Sequence, residues 1–349
     1  MVLLKDKPEY VDLDVDFKPL PKHGHLSEKT PEFLAAEPAI TAAYEQLWSL
    51  PTFQAFRQAA GDADAPMPPG GPDRYREVKT ELLQFPARDG HLIELKIYKS
   101  PNVMPDATLV YRMHGGGFVV GRHEVDGAEN VYAATNPNIV VASIDYRLAP
   151  EFPFPTPGED CYDGLLWCKK NAKTLGINPE KIIIAGSSAG ANLAAALAVM
   201  ARDDGITGII AQVLHFPLVC HPKFFPREKY EFGSYVQNAD NCVLSVLRNE
   251  AFLDSYIPKP KPDHRHSPLL VASHANLPPA LIQCAGVDIF RDDAFAYAEA
   301  LEAAGVDVEI YGYKGVPHCF PAVIATHPST PEFYERYNAF LKKHATSSG

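Results

Sequence analysis

The sequence predicts an α/β protein built on a mostly parallel sheet with helices on both sides. Three observations predict this class: short continuous apolar runs such as IVVASI and KIIIAG, helix-compatible stretches between them, and Gly-rich turns after two of the runs. Continuous apolar runs are typical of strands buried on both faces, and their alternation with helices favours parallel pairing. The 349 residues, 46% of them hydrophobic, can build a large core.

The strands are assigned in chain order. EVKTELLQF and HLIELKIY alternate apolar and polar residues around Asp89-Gly90, which predicts an antiparallel hairpin at the sheet edge. Six buried strands are predicted after it, in the runs ATLVYRM, IVVASI, KIIIAG, GIIAQVLHF, PALIQCAG and VEIYGY.

Two segments lie outside this core pattern. Residues 1–75 are predicted to carry short helices, one over 38–50 and one capped by Thr52, and then a Pro- and Gly-rich linker. Residues 220–261 lack a strand pattern but are rich in aromatic residues, which favours a helical insertion over a long structureless loop. We expect 1–75 and 220–261 to form a cap over a core made of 76–219 and 262–349.

Composition and charge exclude several classes of partner and location. The formal charge of −11, without a Lys/Arg-rich stripe, argues against nucleic-acid binding. Charges in MVLLKDKPEY interrupt any signal peptide, and no apolar run is long enough for a membrane span. We therefore expect a cytoplasmic protein without stable membrane insertion. Six cysteines without a CxxC pair argue against a disulfide framework or thiolate zinc site, and a homodimer is compatible with the sequence.

The clearest chemical signal is the segment KIIIAGSSAGANLAAALAVM. An apolar strand meets Gly186-Ser187-Ser188-Ala189-Gly190 and passes into an Ala-rich helix, the context that a G-x-S-x-G nucleophile turn requires. Ser188 would sit on a strained turn with its hydroxyl projecting outward. A Gly-rich corner without chemistry is the alternative interpretation.

A second signal is the loop HGGGFVVG, which follows another strand. The N–H groups of Gly115, Gly116 and Gly117 are candidates to bind a developing oxyanion, together with the N–H of Ala189. One alternative is a dinucleotide-binding unit with Asp145 as the ribose ligand, but GGGFVVG is not G-x-G-x-x-G and no good helix opens at it.

An activated serine needs a base and an orienting acid. Asp288 follows the strand PALIQCAG and His318 follows VEIYGY, so both lie past the carboxyl ends of strands, in the order Ser, Asp, His that this class shows. The competitors are placed less favourably: His274, His327, His344, Asp292 and Asp293. His264 and His266 lack the spacing of metal ligands, and we expect neither a metal nor another cofactor.

At these residues the sequence resembles the hormone-sensitive lipase family of α/β-hydrolases. The matching blocks lie in order at 114–118 (HGGGF), 145–155 (DYRLAPEFPFP), 186–194 (GSSAGANLA), 267–270 (SPLL), 277–293 and 317–320 (PHCF). The resemblance implies an eight-stranded α/β-hydrolase fold with a helical cap. It also implies Ser188 as nucleophile, Asp288 as acid, His318 as base, and Gly115, Gly116 and Ala189 as oxyanion donors, with Gly117 closing the loop.

The sequence departs from that family at three positions. Ser187 stands where relatives often have Asp, Ala191 where they have Gly, and Cys319 where they have Gly after the base. Cys319 raises the hypothesis that activity is sensitive to oxidation, with a simple packing role as the alternative.

The function implied is that of a serine carboxylic-ester hydrolase acting on a small-molecule ester with a short- to medium-chain acyl group. Hydrolysis of a lactone or amide, or deacetylation of a secondary metabolite, is equally compatible with the fold. A non-catalytic receptor is the alternative from another class; the plant gibberellin receptors resemble these enzymes but lack the histidine that is present here as His318.

Overall fold

The structure, a computed structural model, describes residues 3–13, 21–61 and 64–346. Within these residues the strands are β1 Lys79–Pro86, β2 Leu92–Lys99, β3 Ala107–Met113, β4 Ile139–Asp145, β5 Ile177–Ser187, β6 Ile209–His215, β7 Ala280–Val287 and β8 Val308–Pro317. The helices are α1 Pro31–Trp48, α2 Phe53–Ala60, α3 Gly127–Ala134, α4 Thr156–Lys170, α5 Ala172–Leu175, α6 Ala189–Asp203, α7 Ser234–Gln237, α8 Val246–Tyr256, α9 Arg291–Ala303, α10 Phe320–Val323 and α11 Ser329–Thr346.

The strands form one sheet of eight in the order β1-β2-β4-β3-β5-β6-β7-β8. β1 pairs with β2 and β2 with β4 in antiparallel register, and every other pair is parallel. The central strands β3 and β7 are buried at every residue, as their continuous apolar runs require. The predicted α/β-hydrolase fold, with its antiparallel edge hairpin and parallel centre, is confirmed.

Helices cover both faces of the sheet and create two apolar cores. On one face α4, α6 and α9 pack through residues such as Leu165, Leu197 and Leu301. On the other face α3 and α11 pack through Val131 and Phe340. The carboxyl ends of the parallel strands stay open between these layers, which is where sites collect in open α/β sheets.

The N-terminal helices begin earlier than the sequence pattern indicates. α1 starts at Pro31 rather than near residue 38, because Thr30 caps it by accepting a hydrogen bond from the Phe33 N–H at 3.3 Å and Pro31 suits the first turn. Pro38 lies inside α1. α2 is capped as predicted, with Thr52 accepting from the Ala55 N–H at 3.1 Å.

Segment 220–261 contains fewer helices than predicted. α8 is the one helix longer than a single turn in this stretch, and most of the remaining residues lie in turns and extended chain. Side chains attach this stretch to the core, since Asn238 and Asn241 donate to backbone carbonyls of the core. The aromatic residues are nevertheless largely buried, including Phe225, Tyr235 and Phe252.

Segment 220–261 and the N-terminal helices contact each other. The Phe252 ring of α8 lies 5.0 Å from the ring of Trp48 and 5.7 Å from that of Phe53. The assignment of 1–75 and 220–261 as a cap stays a prediction, and residues 1–2, 14–20 and 62–63 of it, like 347–349 of the predicted core, lie outside the described residues. In the described part of the chain, none of the helices combines the length and apolar character needed to cross a bilayer.

Candidate active site

Ser188 occupies a sharp turn between β5 and α6. Its backbone adopts φ 55° and ψ −118°, a strained conformation for a residue with a side chain. The two flanking glycines are required sterically: a Cβ at Gly186 would collide with the Gly190 carbonyl, and a Cβ at Gly190 would collide with the Met113 carbonyl at the end of β3. The turn therefore presents the Ser188 side chain above the sheet edge.

Asp288 and His318 meet Ser188 from neighbouring strand ends. His318 follows β8, and its Nε2 lies 2.9 Å from Ser188 Oγ. Its Nδ1 lies 2.6 Å from Oδ2 of Asp288, which follows β7. The other carboxylate oxygen of Asp288 accepts from the Phe290 N–H at 3.0 Å, so the acid is held from two sides. The three side chains predicted from sequence thus form one continuous hydrogen-bonded chain.

The surroundings of His318 are dry and acidic. Burial disfavours its charged form, but the charge and hydrogen bond of the adjacent Asp288 carboxylate act in the opposite direction together with those of Cys319, and the pKa of His318 is raised. Phe216 and Phe290 place their rings 5.7 and 5.4 Å from the imidazole in edge-on contacts. These aromatic contacts restrict the ring orientation.

The Gly-rich loop after β3 runs beside the Ser188 turn. Gly116 and Gly117 adopt φ 120° and 60°, and a Cβ on Gly117 would enter the ring of Phe252. The Gly116 carbonyl accepts from the N–H groups of Val119 and Val120 at 3.0 and 2.9 Å, which closes the loop. Among the described residues, none accepts a hydrogen bond from the backbone N–H of Gly115, Gly116, Gly117 or Ala189. These donors are therefore available to a ligand.

The preceding His114 stiffens this loop. Its ring stacks on Tyr146 with 4.2 Å between centroids, and its Nδ1 lies 2.7 Å from the Gly115 carbonyl oxygen. The Tyr146 hydroxyl donates to the His114 carbonyl at 2.8 Å. These contacts hold the Gly-rich segment without using its N–H groups.

The competing histidines and acids have other partners. His327 Nε2 lies 3.0 Å from Thr30 Oγ1 and its Nδ1 accepts from the Ser329 N–H at 3.1 Å. His274 contacts the ring of Tyr297 and His344 that of Phe340. Asp292 pairs with Arg291, and Asp293 accepts from the Val219 N–H at 3.0 Å. The structure brings none of these five to Ser188.

Ser187, the first departure from the family pattern, accepts a hydrogen bond from a buried arginine. Arg112 on β3 is fully buried, and its Nη2 donates to Ser187 Oγ at 2.8 Å and pairs with Asp126 Oδ2 at 3.2 Å. The carboxylate that pairs with Arg112 is thus supplied by Asp126, from the segment before α3. The sequence analysis missed both residues, although a charged residue inside the apolar run ATLVYRM was a signal.

The other two departures fill space near the site. Ala191 is fully buried in α6. Cys319 has a left-handed backbone with φ 52°, and burial raises the pKa of its thiol despite the neighbouring His318. A thiol with a raised pKa is mostly protonated and reacts slowly, which favours the packing interpretation of Cys319.

A cavity of about 890 Å³ opens above Ser188 and is lined by both predicted cap segments. Its apolar wall comes from Tyr44, Leu47, Trp48, Phe56, Leu244, Phe252, Leu253, Phe290 and Val323. This volume suits a small organic molecule rather than a polymer.

One group of described side chains could hold a metal ion: ligand atoms of Glu94, His123 and Asp145 all lie within 4.8 Å of one another. Arg122 bridges the two carboxylates, with Nη2 3.3 Å from Glu94 and Nε 3.2 Å from Asp145. A guanidinium in that position opposes a second cation, so the expectation of no metal stays a prediction. The sequence does not reveal this group because its members come from three separate segments: β2, the loop after β3 and the end of β4. His266, a candidate in the sequence, uses both ring nitrogens in hydrogen bonds.

Fold and site geometry define an α/β-hydrolase, and the family comparison agrees. The family model of the α/β-hydrolase fold matches residues 109–322, and the chain belongs to this family. The resemblance to the hormone-sensitive lipase group is confirmed, and the dinucleotide-binding alternative is set aside.

Several of the relatives carry esterase names. Carboxylesterase NlhH of Mycobacterium tuberculosis is 34% identical over 256 residues, which cover 72% of this chain and 78% of the relative. An arylesterase of Saccharolobus solfataricus is 34% identical over 275 residues, covering 77% and 84%. The crystal structure of vibralactone cyclase superposes with a TM-score of 0.79 and 29% identity, covering 93% of this chain and 97% of that one. At the level of the family, the prediction of an enzyme of the carboxylesterase class is confirmed.

Proposed function

We propose that the chain is a serine carboxylic-ester hydrolase in which Ser188, His318 and Asp288 form the catalytic triad. The single observation that carries the proposal is the continuous chain of contacts from Ser188 Oγ to His318 Nε2 at 2.9 Å and from His318 Nδ1 to Asp288 at 2.6 Å. The base is thereby within hydrogen-bond reach of both the nucleophile and the orienting acid.

The reaction proceeds through an acyl-enzyme. His318 Nε2 takes the Ser188 proton while Oγ attacks the ester carbonyl carbon, and the protonated imidazole then gives that proton to the departing alcohol. In the second half water attacks the acyl carbonyl carbon and loses a proton to His318. The imidazolium then returns that proton to Ser188 Oγ as the bond between Oγ and the acyl carbon breaks and the acid leaves. Asp288 keeps the imidazole in the tautomer with the proton on Nδ1 and stabilises its charged form.

The tetrahedral oxyanion is held by backbone donors. We assign this role to the N–H groups of Gly115, Gly116 and Ala189, with Gly117 closing the loop, because these groups are open and lie beside the turn that carries Ser188. α6 begins at Ala189, so the positive end of its dipole adds to the stabilisation.

We assign residues 1–75 and 220–261 to a cap that selects a short- to medium-chain acyl ester. Support comes from the cavity, whose apolar wall is drawn from both segments and from the loop that carries Phe290. An extra methylene in such a wall changes binding by only about 1–3 kcal/mol, so selectivity between chain lengths is expected to be modest.

The test uses a short p-nitrophenyl ester and a fluorophosphonate probe. Ser188→Ala and His318→Ala are expected to lower turnover by several orders of magnitude, and the probe should attach to Ser188, as located by mass spectrometry of the labelled peptide. Ser273→Ala, which alters an exposed serine, serves as the control. Hydrolysis by Ser188→Ala at a sizeable fraction of the parental rate would contradict the mechanism, and a parent that neither labels nor turns over would favour the receptor alternative.

A lactone is the second candidate substrate. One observation favours it, the similarity over 93% of the chain to a structure named vibralactone cyclase. Measuring kcat/KM for δ-lactones beside linear esters of equal carbon number separates the two candidates.

A further inference from the structure

The cavity has an acidic side at the N-terminus of α3, opposite in character to its aromatic wall. Five carboxyl side chains line it there: Glu94, Glu124, Asp126, Glu129 and Asp145. Acidic groups on a surface need no explanation, but acidic groups that line a cavity exert their field on whatever enters it.

Four of the five carboxyl groups form ion pairs with cationic side chains near this wall. Lys96 pairs with Glu124 at 2.9 Å, and Arg112 pairs with Asp126 at 3.2 Å. Arg122 is shared between the remaining two partners, as described above. The wall therefore carries more negative than positive charge.

Glu129 is the fifth carboxyl group, and it forms none of these ion pairs. The residue is 5% exposed and lines the cavity, and among the described residues its own backbone N–H is the only donor that approaches its carboxyl group. It stands at the third position of α3, where a glutamate can reach back to the N–H of the capping residue, here Asp126, but that bond is not formed in the described structure. A helix-capping role therefore does not account for it.

The electrostatics leave Glu129 in need of a partner. Burial, followed by the charge of Asp126, raises the pKa of Glu129 to about 7, and Arg112 offsets only part of this. A buried carboxylate gains most from a donor that is itself charged.

This group and the reacting serine line the same cavity. A single guanidinium nitrogen, Arg112 Nη2, touches both Ser187 Oγ at 2.8 Å and Asp126 at 3.2 Å, and Ser187 directly precedes Ser188. Ser187 and Cys319 line the same cavity, which connects the Ser188 side chain to the wall that carries Glu129. A substrate bound at Ser188 can reach this wall with a short side arm.

We propose that Glu129 is the binding group for a protonated amine on the substrate, so that the preferred esters carry a cationic arm at one end and apolar groups at the other. The inference rests on the proposed esterase function and adds the substrate class. Apolar groups fill the aromatic side, and the ammonium group supplies the charge and N–H donor that the acidic side lacks.

The test compares amine esters with carbon isosteres of the same shape at pH 8, where tertiary alkylamines stay protonated. Ethyl 5-(dimethylamino)pentanoate and ethyl 6-methylheptanoate place the group on the acyl side. On the alcohol side the pair is 3-(dimethylamino)propyl acetate and 4-methylpentyl acetate. The readout is the ratio of kcat/KM within each pair, measured by titration of released acid.

The expected ratio is at least about tenfold in favour of the amine in one of the two pairs, because hydrogen bonds between charged groups are the strong ones. Glu129→Gln should reduce that ratio about tenfold or more. The matched control is Glu151→Gln, which alters another carboxyl group of the cavity wall that is already paired with Arg57; there the ratio should stay as in the parent.

The outcomes separate this inference from the proposed function. Hydrolysis of the neutral isosteres without preference for either amine, or an unchanged ratio in Glu129→Gln, would overturn the inference alone. Failure of the parent to hydrolyse any of the four esters would overturn the proposed function as well. If Glu129→Gln does not fold, inhibition of the parent enzyme by N,N-dimethylhexylamine is compared with inhibition by neutral alcohols of the same size as 2-methyloctane, its carbon isostere, at equal ionic strength. Inhibition by the amine that is at least tenfold stronger supports the site, and equal inhibition rejects it.

Discussion

Asn238 donates through Nδ2 to the backbone carbonyl of Asp288 at 2.9 Å. Asn241 makes the same kind of bond to the preceding carbonyl, that of Val287, at 2.7 Å. Ser234 Oγ donates to the carbonyl of Ile289 at 2.6 Å. Three side chains of segment 220–261 thus bind three consecutive carbonyl groups around the proposed acid. The segment therefore positions the turn that carries Asp288, and it also forms part of the cavity wall.

Asn238→Ala is expected to lower both stability and turnover. The lost bond leaves a buried carbonyl without its donor, which costs about 1–3 kcal/mol of the free energy of unfolding, and the loosened turn holds Asp288 less firmly. Denaturant unfolding and kcat on p-nitrophenyl butyrate check this. Asn178→Ala, at the opposite end of β5, removes a local bond to the Glu180 N–H and should leave kcat at the parental value. An equal loss of kcat in both variants would contradict the positioning role.

The pH profile should depend on Asp288. The base acts in its neutral form, so kcat/KM falls as the pH drops through the pKa of His318, and the Asp288 carboxylate places that acid limb above the ordinary histidine value of 6.5. Asp288→Asn removes the charge, so the pKa falls and the limb moves to lower pH, while the maximal rate decreases by roughly 10⁴-fold. A limb that stays in place would show that Asp288 does not raise the pKa.

Phe252→Ala should broaden the substrate range. The Phe252 ring lies between Gly117 of the proposed oxyanion loop and the rings of Trp48 and Phe53, so its removal enlarges the cavity directly over the loop. We expect kcat/KM for bulky acyl esters to rise relative to that for acetate, with a stability loss of about 3–5 kcal/mol. Phe232→Ala removes an aromatic ring of the same segment that stacks on Tyr235. In that variant the preference between esters should not change.

Oxidation at Cys319 should be slow. Because the pKa of the thiol is raised, little thiolate forms near neutral pH, and hydrogen peroxide reacts with the thiolate. Parent and Cys319→Ala are therefore expected to lose activity in peroxide at the same rate. Clear protection by the substitution would instead establish the oxidation-sensitive role that the sequence alone allows.

The strands and the proposed triad were predictable because their signals are local. A strand buried on both faces is mostly apolar, as β3 and β7 are, and the turn around Ser188 excludes side chains at Gly186 and Gly190. Each of these constraints acts on a few adjacent residues and is visible in the sequence. The ends of consecutive parallel strands then bring Asp288 and His318 to the same edge.

The features that sequence could not predict depend on contacts between distant segments. α1 begins at Pro31 because of a cap at Thr30, whereas the sequence pattern predicted a helix over 38–50. Segment 220–261 is less helical than expected, and its asparagine side chains bond to backbone carbonyls of the core. Glu129 and Asp126 carry no local motif, and only the fold places them beside the cavity.

The guanidinium of Arg112 changes which residue suits position 187 of the nucleophile motif. Asp126 already neutralises the charge of Arg112. An aspartate at position 187, which is common among relatives, would therefore place a second carboxylate beside a guanidinium that already has a partner. A consensus substitution at this position would then harm the protein rather than improve it. Engineers who graft motif residues between members of this family need to exchange the counter-charge on the neighbouring strand and helix together with the motif.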